Sequence, residues 1–340
     1  MRIFRKAQYV VGLIAFAAAM QVNAACAEES VVVGYQQIVG PFLSAIKDGS
    51  FDKAAKEAGY TIEWRQFSSG GDISTALASG DVPIGVLGST GTTAAATRGV
   101  DLELFWILDN IGKSEALVAR DGSGVEKPAD LVGKKVGVPY VSTSHFHLLV
   151  GMTQVWNIDP SKVEILNMQP PQIVAAWQRG DIDAAYVWPP ALSEIEKTGK
   201  VIADSGEIGA ASVPTFDGLV VDKGFAEDNA AFMTAFTKVL ADSYADYAKN
   251  GASWTEDSPE VKGMVQLIGG NPADVVGALK LLQFPTASEQ ASATWLGEGG
   301  GAVKALTESA KFLVSQKQID SALDDYSPHV DGSFAAAAAK

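Results

Sequence analysis

Strand-like and helix-like segments alternate along most of this 340-residue chain, and this alternation restricts the possible folds more than any other feature. Short apolar segments rich in β-branched residues predict strands at 31–35, 61–67, 82–87 and 101–108, and helical patterns lie between them at 41–58, 73–79 and 91–98. Such alternation is typical of βαβ units, in which helices cover both faces of a sheet. We therefore predict an α/β protein.

A segment of the first hundred residues resembles one in the second hundred. In both 76–86 and 176–186, a helical pattern ends at a glycine, and an aspartate then leads into a strand. Glycine suits the left-handed conformation that often ends a helix. A common helix-to-strand turn used twice explains the similarity as well as duplication does. Either explanation predicts two α/β units, each of about a hundred residues.

The rest of the chain completes the second unit and adds a helical tail. Strands are predicted at 135–138, 163–166, 184–187 and 218–221, and helices at 143–157 and 172–179. After the last of these strands the sequence is almost entirely helical up to residue 316.

This tail is explained if the chain returns to the first lobe and packs helices onto it. We therefore expect residues 28–118 and 214–334 to form lobe 1 and residues 119–213 to form lobe 2. The two crossings would make a hinge, and hinged α/β lobes close on ligands. The alanine-rich residues 335–340 are expected to be disordered.

Residues 1–27 have the features of a cleaved secretory signal peptide. Basic residues precede a short apolar run at 10–20, and small residues follow around Cys26. This run is shorter than the about 20 residues that a membrane span needs. Lipidation of Cys26 is the alternative, but Asn23 stands where lipoprotein signals have leucine. We therefore expect an exported protein with no internal disulfide, since Cys26 is its only cysteine.

The charge of the chain restricts its partners. Removal of the signal peptide leaves 23 basic and 40 acidic residues, a net charge of −17. This balance disfavours nucleic acid and anionic membrane surfaces as partners. A small anionic ligand is still possible, because the free N–H groups at helix starts bind anions locally.

Sequence signatures of enzymes are incomplete in this chain. The stretch 128–135 resembles a phosphate-binding loop but lacks its first glycine and its final Ser/Thr, and no strand pattern precedes the glycine-rich stretch 297–302. Ser142 or Ser144 with His145 could serve as nucleophile and base of a secreted hydrolase, and this alternative stays open. The three histidines are too few for a metal cluster. We predict a protein that is not an enzyme and has neither cofactor nor metal.

Three predicted strands run into helix starts that are rich in hydroxyl groups and glycine. These are Ser69–Gly70, Ser89–Thr90 and, in the other lobe, Ser142–Thr143. In open α/β sheets ligands bind at the carboxyl ends of strands, where these loops lie. Hydroxyls, N–H groups and the helix dipole together suit a tetrahedral anion, although simple N-capping explains each loop alone.

Aromatic and acidic side chains add further candidates for the site. Tyr35 and Gln36 end the first strand, and Trp188 ends a strand of lobe 2, where it could flank a short alkyl chain. Candidate counter-charges for a cationic group are Asp217, which lies where the chain crosses back, Glu115 and Asp109.

Several segments carry a resemblance to a known family: 33–36, 76–84, 112–117, 142–145, 169–171, 175–183, 186–188 and 214–217. At these residues the chain resembles the taurine-binding periplasmic proteins, and the similarity extends from about residue 31 to 328. Two departures concern the volume of the cleft: Gly91 stands where proline is expected, and Gly218 where the family is bulkier.

The resemblance implies a two-lobed type II periplasmic binding protein fold with two hinge crossings. It further implies a periplasmic protein that captures taurine or a related sulfonate and delivers it to the membrane permease of an ABC importer. Such delivery is compatible with a monomer. Sulfonate contacts are expected from the three hydroxyl-rich loops. Other alkanesulfonates, nitrate and a thiamine precursor are the alternative ligands.

Overall fold

The computed structural model describes residues 29–340, and the expected signal peptide lies outside these residues. The strands are β1 Glu29–Gln36, β2 Tyr60–Phe67, β3 Ile84–Gly88, β4 Leu102–Asn110, β5 Ala116–Arg120, β6 Lys135–Val138, β7 Glu164–Asn167, β8 Ala184–Val187, β9 Gly199–Asp204 and β10 Phe216–Asp222. The helices up to the last strand are α1 Pro41–Asp48, α2 Ser50–Glu57, α3 Gly70–Ser79, α4 Ser89–Thr97, α5 Thr143–Val150, α6 Pro170–Arg179, α7 Ala191–Ile195 and α8 Ser205–Ala211. Those after it are α9 Lys223–Asp228, α10 Ala230–Asn250, α11 Pro259–Ile268, α12 Pro272–Leu279, α13 Ala287–Gln290, α14 Gly301–Ser315 and α15 Ser333–Ala338.

The strands form two five-stranded sheets that share one plan. The sheet of lobe 1 has the order β2-β1-β3-β10-β4, and the sheet of lobe 2 has the order β7-β6-β8-β5-β9. In each sheet the fourth strand arrives from the other lobe and runs antiparallel to both neighbours. The two similar segments of the sequence occupy equivalent places, α3 to β3 and α6 to β8. Both helices end at a left-handed glycine, Gly80 with φ 80° and Gly180 with φ 77°.

Two chain crossings, 111–115 and 212–215, connect the lobes. They run side by side, and the N–H of Ile111 donates to the carbonyl of Thr215 at 3.2 Å. The expected boundary after residue 118 is wrong, because it divides β5, which lies wholly in the second sheet. Strands β5 and β9 were not predicted from the sequence. Both are short, and they are held in place by pairing with each other although they lie far apart in the chain.

The helical tail packs onto lobe 1, as expected from the return of the chain. Tyr244 of α10 donates its hydroxyl to the carbonyl of Leu108 at 2.7 Å. The side-chain amide of Gln290 both accepts from the N–H and donates to the carbonyl of Ile107. These buried hydrogen bonds replace the missing partners of β4 and fix the tail against the sheet.

The expectation of a disordered C-terminal tail is wrong. Residues Ser333–Ala338 form α15, in which Ala335 is fully buried. The ring of Phe334 lies edge-on against that of Phe105 with centroids 5.9 Å apart. Alanine composition alone suggested a solvated end, but small side chains also allow a helix to approach the core closely.

Two predicted helices are interrupted. The helix expected at 41–58 is divided at Gly49, whose φ of 81° ends α1. The helix expected at 143–157 ends at Val150 and continues as a single wider turn over Gly151–Val155. Between Glu29 and Lys340, no helix is both long enough and apolar enough to cross a membrane.

Helix α14 contacts both lobes. Most of its apolar side chains join the core of lobe 1, but Phe312 belongs to a small cluster of lobe 2 with Phe146 and Ile208. The rings of Phe312 and Phe146 meet edge to face with centroids 5.1 Å apart. Val213, which lies on the second crossing, packs against the same cluster. A side-chain contact therefore links the lobes beside a chain crossing.

Candidate ligand-binding site

A narrow cavity lies between the lobes, at the carboxyl ends of parallel strands. Both lobes line it, with Gln36, Ile38, Gly70, Gly88, Gly91, Glu115, Val141, Ser142, Thr143, Trp188 and Asp217. Seven of the expected site residues are in this set. Of the others, Ser69, Ser89 and Thr90 are buried next to lining glycines, whereas Tyr35 lies elsewhere.

The helix starts of the two lobes meet at this cavity. Helices α3 and α4 of lobe 1 begin at Gly70 and Ser89, and α5 of lobe 2 begins at Thr143. The first N–H groups of a helix have no partner within it, and the helix dipole adds positive potential there. This side of the cavity therefore favours an anion.

In lobe 2 the helix start is held by protein partners. The Ser142 hydroxyl accepts from the N–H of His145 at 3.1 Å and donates to the carbonyl of Pro139 at 2.6 Å. Thr143 donates its hydroxyl to Oε1 of Glu115 at 2.5 Å. The preceding residue, Val141, has a φ of 61°, which is a strained backbone conformation for a β-branched residue. The surrounding contacts hold this strained loop at the cavity wall.

In lobe 1 the corresponding hydroxyls have no partner. Ser89 and Thr90 are fully buried, and their hydroxyl oxygens make no hydrogen bond to any residue of 29–340. Gly88 and Gly91 on either side line the cavity, so the α4 start reaches the cavity through its backbone. Buried polar groups are almost always hydrogen-bonded in native proteins, so these two hydroxyls beside lining glycines are available to a ligand at this wall.

Gly88 is where the lobes approach each other closely. A Cβ atom at this position would lie 2.8 Å from Cγ2 of Thr143 and 3.3 Å from Oδ1 of Asp217. Gly91 has room, because its nearest neighbour would be Leu87 Cδ2 at 3.7 Å. Gly218 is small for another reason: a side chain there would meet Leu104 at 2.4 Å in the core of the sheet. Its size therefore does not bear on the volume of the cleft.

Carboxyl groups line the cavity beside the helix starts: Asp217 is the cross-strand partner of Gly88, and Glu115 accepts from Thr143. Burial raises the pKa of Asp217 to about 7. Burial also raises the pKa of Glu115 to about 7, although the hydrogen bond from Thr143 lowers it. No lysine or arginine of the described chain lines the cavity. The carboxyls therefore favour a cation, which would stabilise their charged form.

The two carboxyls have different surroundings. Both oxygens of Glu115 accept from lobe-2 hydroxyls, Oε1 from Thr143 and Oε2 from Ser205 at 3.1 Å. The side chain of Asp217 makes no hydrogen bond to another side chain among residues 29–340, and this residue ends the sheet at the second crossing. Asp217 is therefore the freer partner for a ligand cation, while Glu115 holds the α5 start in position.

Trp188 and Gln36 complete the cavity wall. Trp188 lies between the lobes and packs against the cores of both. Gln36 is buried and donates its amide to the carbonyl of Val86 at 3.0 Å, so its position is fixed by β3.

The expected ligand contact of Tyr35 is not found. Its ring packs in the core of lobe 1, edge-on to Trp64 with centroids 6.5 Å apart. Side chains alternate along a strand, so Gln36 and Tyr35 point to opposite faces. Conversely, Ile38 and Val141 line the cavity without having been predicted. Apolar residues in loops carry no chemical signal that would have identified them.

The arrangement does not support the hydrolase alternative. The Ser142 hydroxyl donates to Pro139, and Nδ1 of His145 accepts from the N–H of Val141 at 3.3 Å. Burial lowers the pKa of His145 to about 4, and its ring is stacked on Tyr140. Neither serine is paired with this imidazole. Within 29–340, no group of three or more His, Cys, Asp or Glu side chains is placed to hold a metal ion.

Two α/β lobes joined by two crossings around a small polar cleft define the class of two-lobed solute-binding proteins. A family model described as "NMT1/THI5 like" matches residues 26–252, and the chain belongs to this family. It is 41% identical over 305 residues to the taurine-binding periplasmic protein of Escherichia coli strain K12, covering 90% of this chain and 92% of that protein. The resemblance recognised in the sequence is thereby confirmed.

Solved structures confirm the predicted fold. The alkanesulfonate-binding protein SsuA from Xanthomonas axonopodis pv. citri, bound to MOPS, superimposes with a TM-score of 0.69 at 21% identity, over 85% of this chain and 93% of that one. The aliphatic sulphonate binding protein SsuA from Escherichia coli gives 0.69 at 19% identity, over 90% and 99%. The relatives are binding proteins, and the chain is a binding component rather than an enzyme, as predicted.

Proposed function

We propose that this protein captures taurine by closing its lobes and delivers it to the membrane permease of an ABC importer. One observation carries the proposal: helix starts that favour an anion and buried carboxyls that favour a cation line the same small cavity. Taurine is a zwitterion with a sulfonate at one end and an ammonium at the other. Its two charges match these two kinds of group.

The sulfonate would lie between the starts of α3, α4 and α5. The backbone N–H groups at Gly70 and Gly88, with the unpartnered hydroxyls of Ser89 and Thr90 nearby, offer donors without a formal positive charge. Helix starts bind sulfate-like anions in this way. The sulfonate needs no arginine here, and the ligand as a whole stays neutral.

The ammonium would lie at Asp217, with Trp188 flanking the two-carbon chain. A cation beside Asp217 offsets the effect of burial, lowers the pKa and allows the carboxylate to stay ionised. Nitrate and simple alkanesulfonates carry no cation, so they would leave this carboxyl without a counter-charge. This difference favours taurine over the alternative ligands.

Export, delivery and monomeric state belong to the same proposal. The basic and apolar pattern of residues 1–27 supports export to the periplasm. The name of the Escherichia coli relative, a periplasmic protein, agrees with that location. Delivery to a permease is supported by the hinge geometry, since a lobe that closes on its ligand can also release it on opening.

Calorimetry with two ligands that differ only in the amine tests the proposal. We expect wild type to prefer taurine over ethanesulfonate, and Asp217→Asn to weaken taurine binding by more than about tenfold, as for other buried charge pairs that lose one partner. The same change should leave ethanesulfonate binding intact or stronger, because it removes an uncompensated acid. Nitrate serves as a second amine-free control. Absence of taurine binding by wild type, or tighter binding of nitrate, would reject the proposed ligand.

A further inference from the structure

A second narrow pocket, with room for a group about the size of one water molecule, adjoins the cavity; we refer to it as the second chamber. The two share a wall formed by Ile38, Glu115, Trp188 and Asp217. None of the helix-start residues lines the second chamber; its far side is formed by Asp109 together with apolar Val39, Ile111 and Leu282. The space therefore continues beyond the carboxyls in the direction away from the anion side.

Asp109 is a buried acid with one unpaired carboxyl oxygen. Its side chain is 1% exposed, and Oδ1 makes no hydrogen bond to any residue of the described chain. It is the cross-strand partner of Asp217 in the pairing of β4 with β10, which places the two carboxyls side by side. Burial, followed by the charges of Asp217 and Glu115, raises the pKa of Asp109 well above its usual range, although a hydrogen bond from the backbone of Asp217 lowers it. A second acceptor for a cation therefore lies beside Asp217, on the neighbouring strand.

We propose that the second chamber is a subsite for aminosulfonates longer than taurine, in which Asp109 determines specificity by binding a cation that lies one methylene farther from the sulfonate. This inference rests on the proposed function, because the sulfonate is taken to lie at the helix starts. The two-carbon ligand reaches Asp217 on the shared wall. The three-carbon 3-aminopropanesulfonate extends past that wall, where its extra methylene contacts Ile111 and Leu282 and its ammonium donates to both aspartates.

The chemistry of the wall favours an amine there over an apolar chain end. A methyl group in the second chamber would leave Asp109 without a partner, and unsatisfied buried polar groups destabilise a complex. An ammonium has three donors and can bridge Asp109 and Asp217. The subsite therefore selects for both length and charge.

Calorimetry of wild type, Asp109→Asn and Leu282→Phe with taurine, 3-aminopropanesulfonate and 1-propanesulfonate tests the inference. Wild type should bind 3-aminopropanesulfonate within about tenfold of taurine and 1-propanesulfonate much more weakly. Asp109→Asn should weaken 3-aminopropanesulfonate by about tenfold or more, taurine by less than about threefold, and 1-propanesulfonate not at all. Leu282→Phe fills the second chamber without changing a charge. It should weaken binding of 3-aminopropanesulfonate and leave taurine binding nearly unchanged. Circular dichroism confirms that each variant is folded.

Two results would overturn the inference while leaving the proposed function standing. One is tight binding of taurine together with binding of 3-aminopropanesulfonate more than about a hundredfold weaker. The other is an Asp109→Asn variant that changes the affinities for taurine and 3-aminopropanesulfonate equally, or changes neither. Failure of wild type to bind taurine would instead reject the proposed function itself.

Discussion

The helix starts at Ser89 and at Thr143 both lie at the cavity and are alike in sequence, but the hydrogen bonding of their hydroxyl groups differs. In lobe 2, the hydroxyls of Ser142 and Thr143 are bonded to the protein itself. In lobe 1, the hydroxyls of Ser89 and Thr90 are fully buried and have no partner among residues 29–340, as is also true of Ser144 one residue further along α5. The same residue types thus serve two purposes.

This difference shows which lobe keeps its binding groups available. Buried hydroxyls without a hydrogen bond lower the stability of lobe 1. They favour the binding of a ligand that can form hydrogen bonds with them. The bonded start of α5 is instead fixed by Glu115, which lies on the first crossing. Lobe 1 therefore provides much of the anion site, and lobe 2 brings a prearranged surface to it on closure.

The largest effect should follow from blocking the approach of the two helix starts. Gly88→Ala places a methyl 2.8 Å from Cγ2 of Thr143, so the lobes cannot close fully. We expect a loss of taurine affinity of about a hundredfold or more, measured by calorimetry, because closure positions every contact at once. Gly71→Ala is the control and should bind nearly as wild type, since Gly71 does not line the cavity and its new methyl makes only an ordinary contact with Ser69. Similar affinities for the two variants would show that Gly88 does not limit closure.

A matched pair of hydroxyl deletions sharpens the comparison between the lobes. Thr143→Val removes a donor from buried Glu115 and should lower the free energy of unfolding without ligand by about 1–3 kcal/mol. Thr90→Val removes a hydroxyl with no protein partner and should leave that stability unchanged or raise it. Both variants should bind taurine and ethanesulfonate about tenfold more weakly.

Denaturant unfolding and calorimetry on the same samples separate these effects. Equal losses of stability in both variants would mean that the Thr90 hydroxyl is bonded within the protein. Unchanged affinity of Thr90→Val for both ligands would remove its hydroxyl from the anion site.

A smaller effect should appear in the pH dependence of the carboxyl side. The pKa of Asp217 is raised to about 7 in the folded protein, so the folded state binds more protons than the unfolded state between about pH 4 and 7. Stability without ligand should therefore fall as pH rises through this window. Taurine binds the ionised form, so its affinity should rise by several-fold from pH 6 to pH 8. Ethanesulfonate affinity should fall over the same range.

Thermal unfolding with and without each ligand at pH 5, 6, 7 and 8 measures both trends. The titratable groups that contribute to this pH dependence are Asp109, Glu115 and Asp217, and Tyr244 lies near Asp109. If the stabilisation by taurine and that by ethanesulfonate changed with pH in the same way, a carboxylate would not bind the amine of taurine.

Much of the fold could be predicted because the signals are local. Strands β6 and β8 have the bounds expected from the sequence, and glycines end α3 and α6 where a left-handed residue was needed. The Ser69 and Ser89 loops could be placed together because the carboxyl ends of parallel strands share one edge of a sheet. The Ser142 loop follows a strand of the other sheet and joins them through the two-lobed arrangement.

The remaining features depend on contacts between distant residues. Nothing near Glu115 in the sequence indicates that Thr143 and Ser205 would bind both its oxygens. Tyr35 and Gln36 differ by one strand position, and only the sheet decides which of them faces the cleft. The burial of Ala335 depends on the neighbouring β4, which a count of alanines cannot show.

The contact of Phe312 with Phe146 has a consequence for how a solute enters and leaves. This contact, Val213 and the second crossing lie together, and the first crossing runs alongside. The lobes are thus linked beside the hinge by side chains as well as by backbone. An opening that pivots about the crossings would keep the Phe312–Phe146 contact and would separate the helix starts at Gly88 and Thr143, where the solute is released.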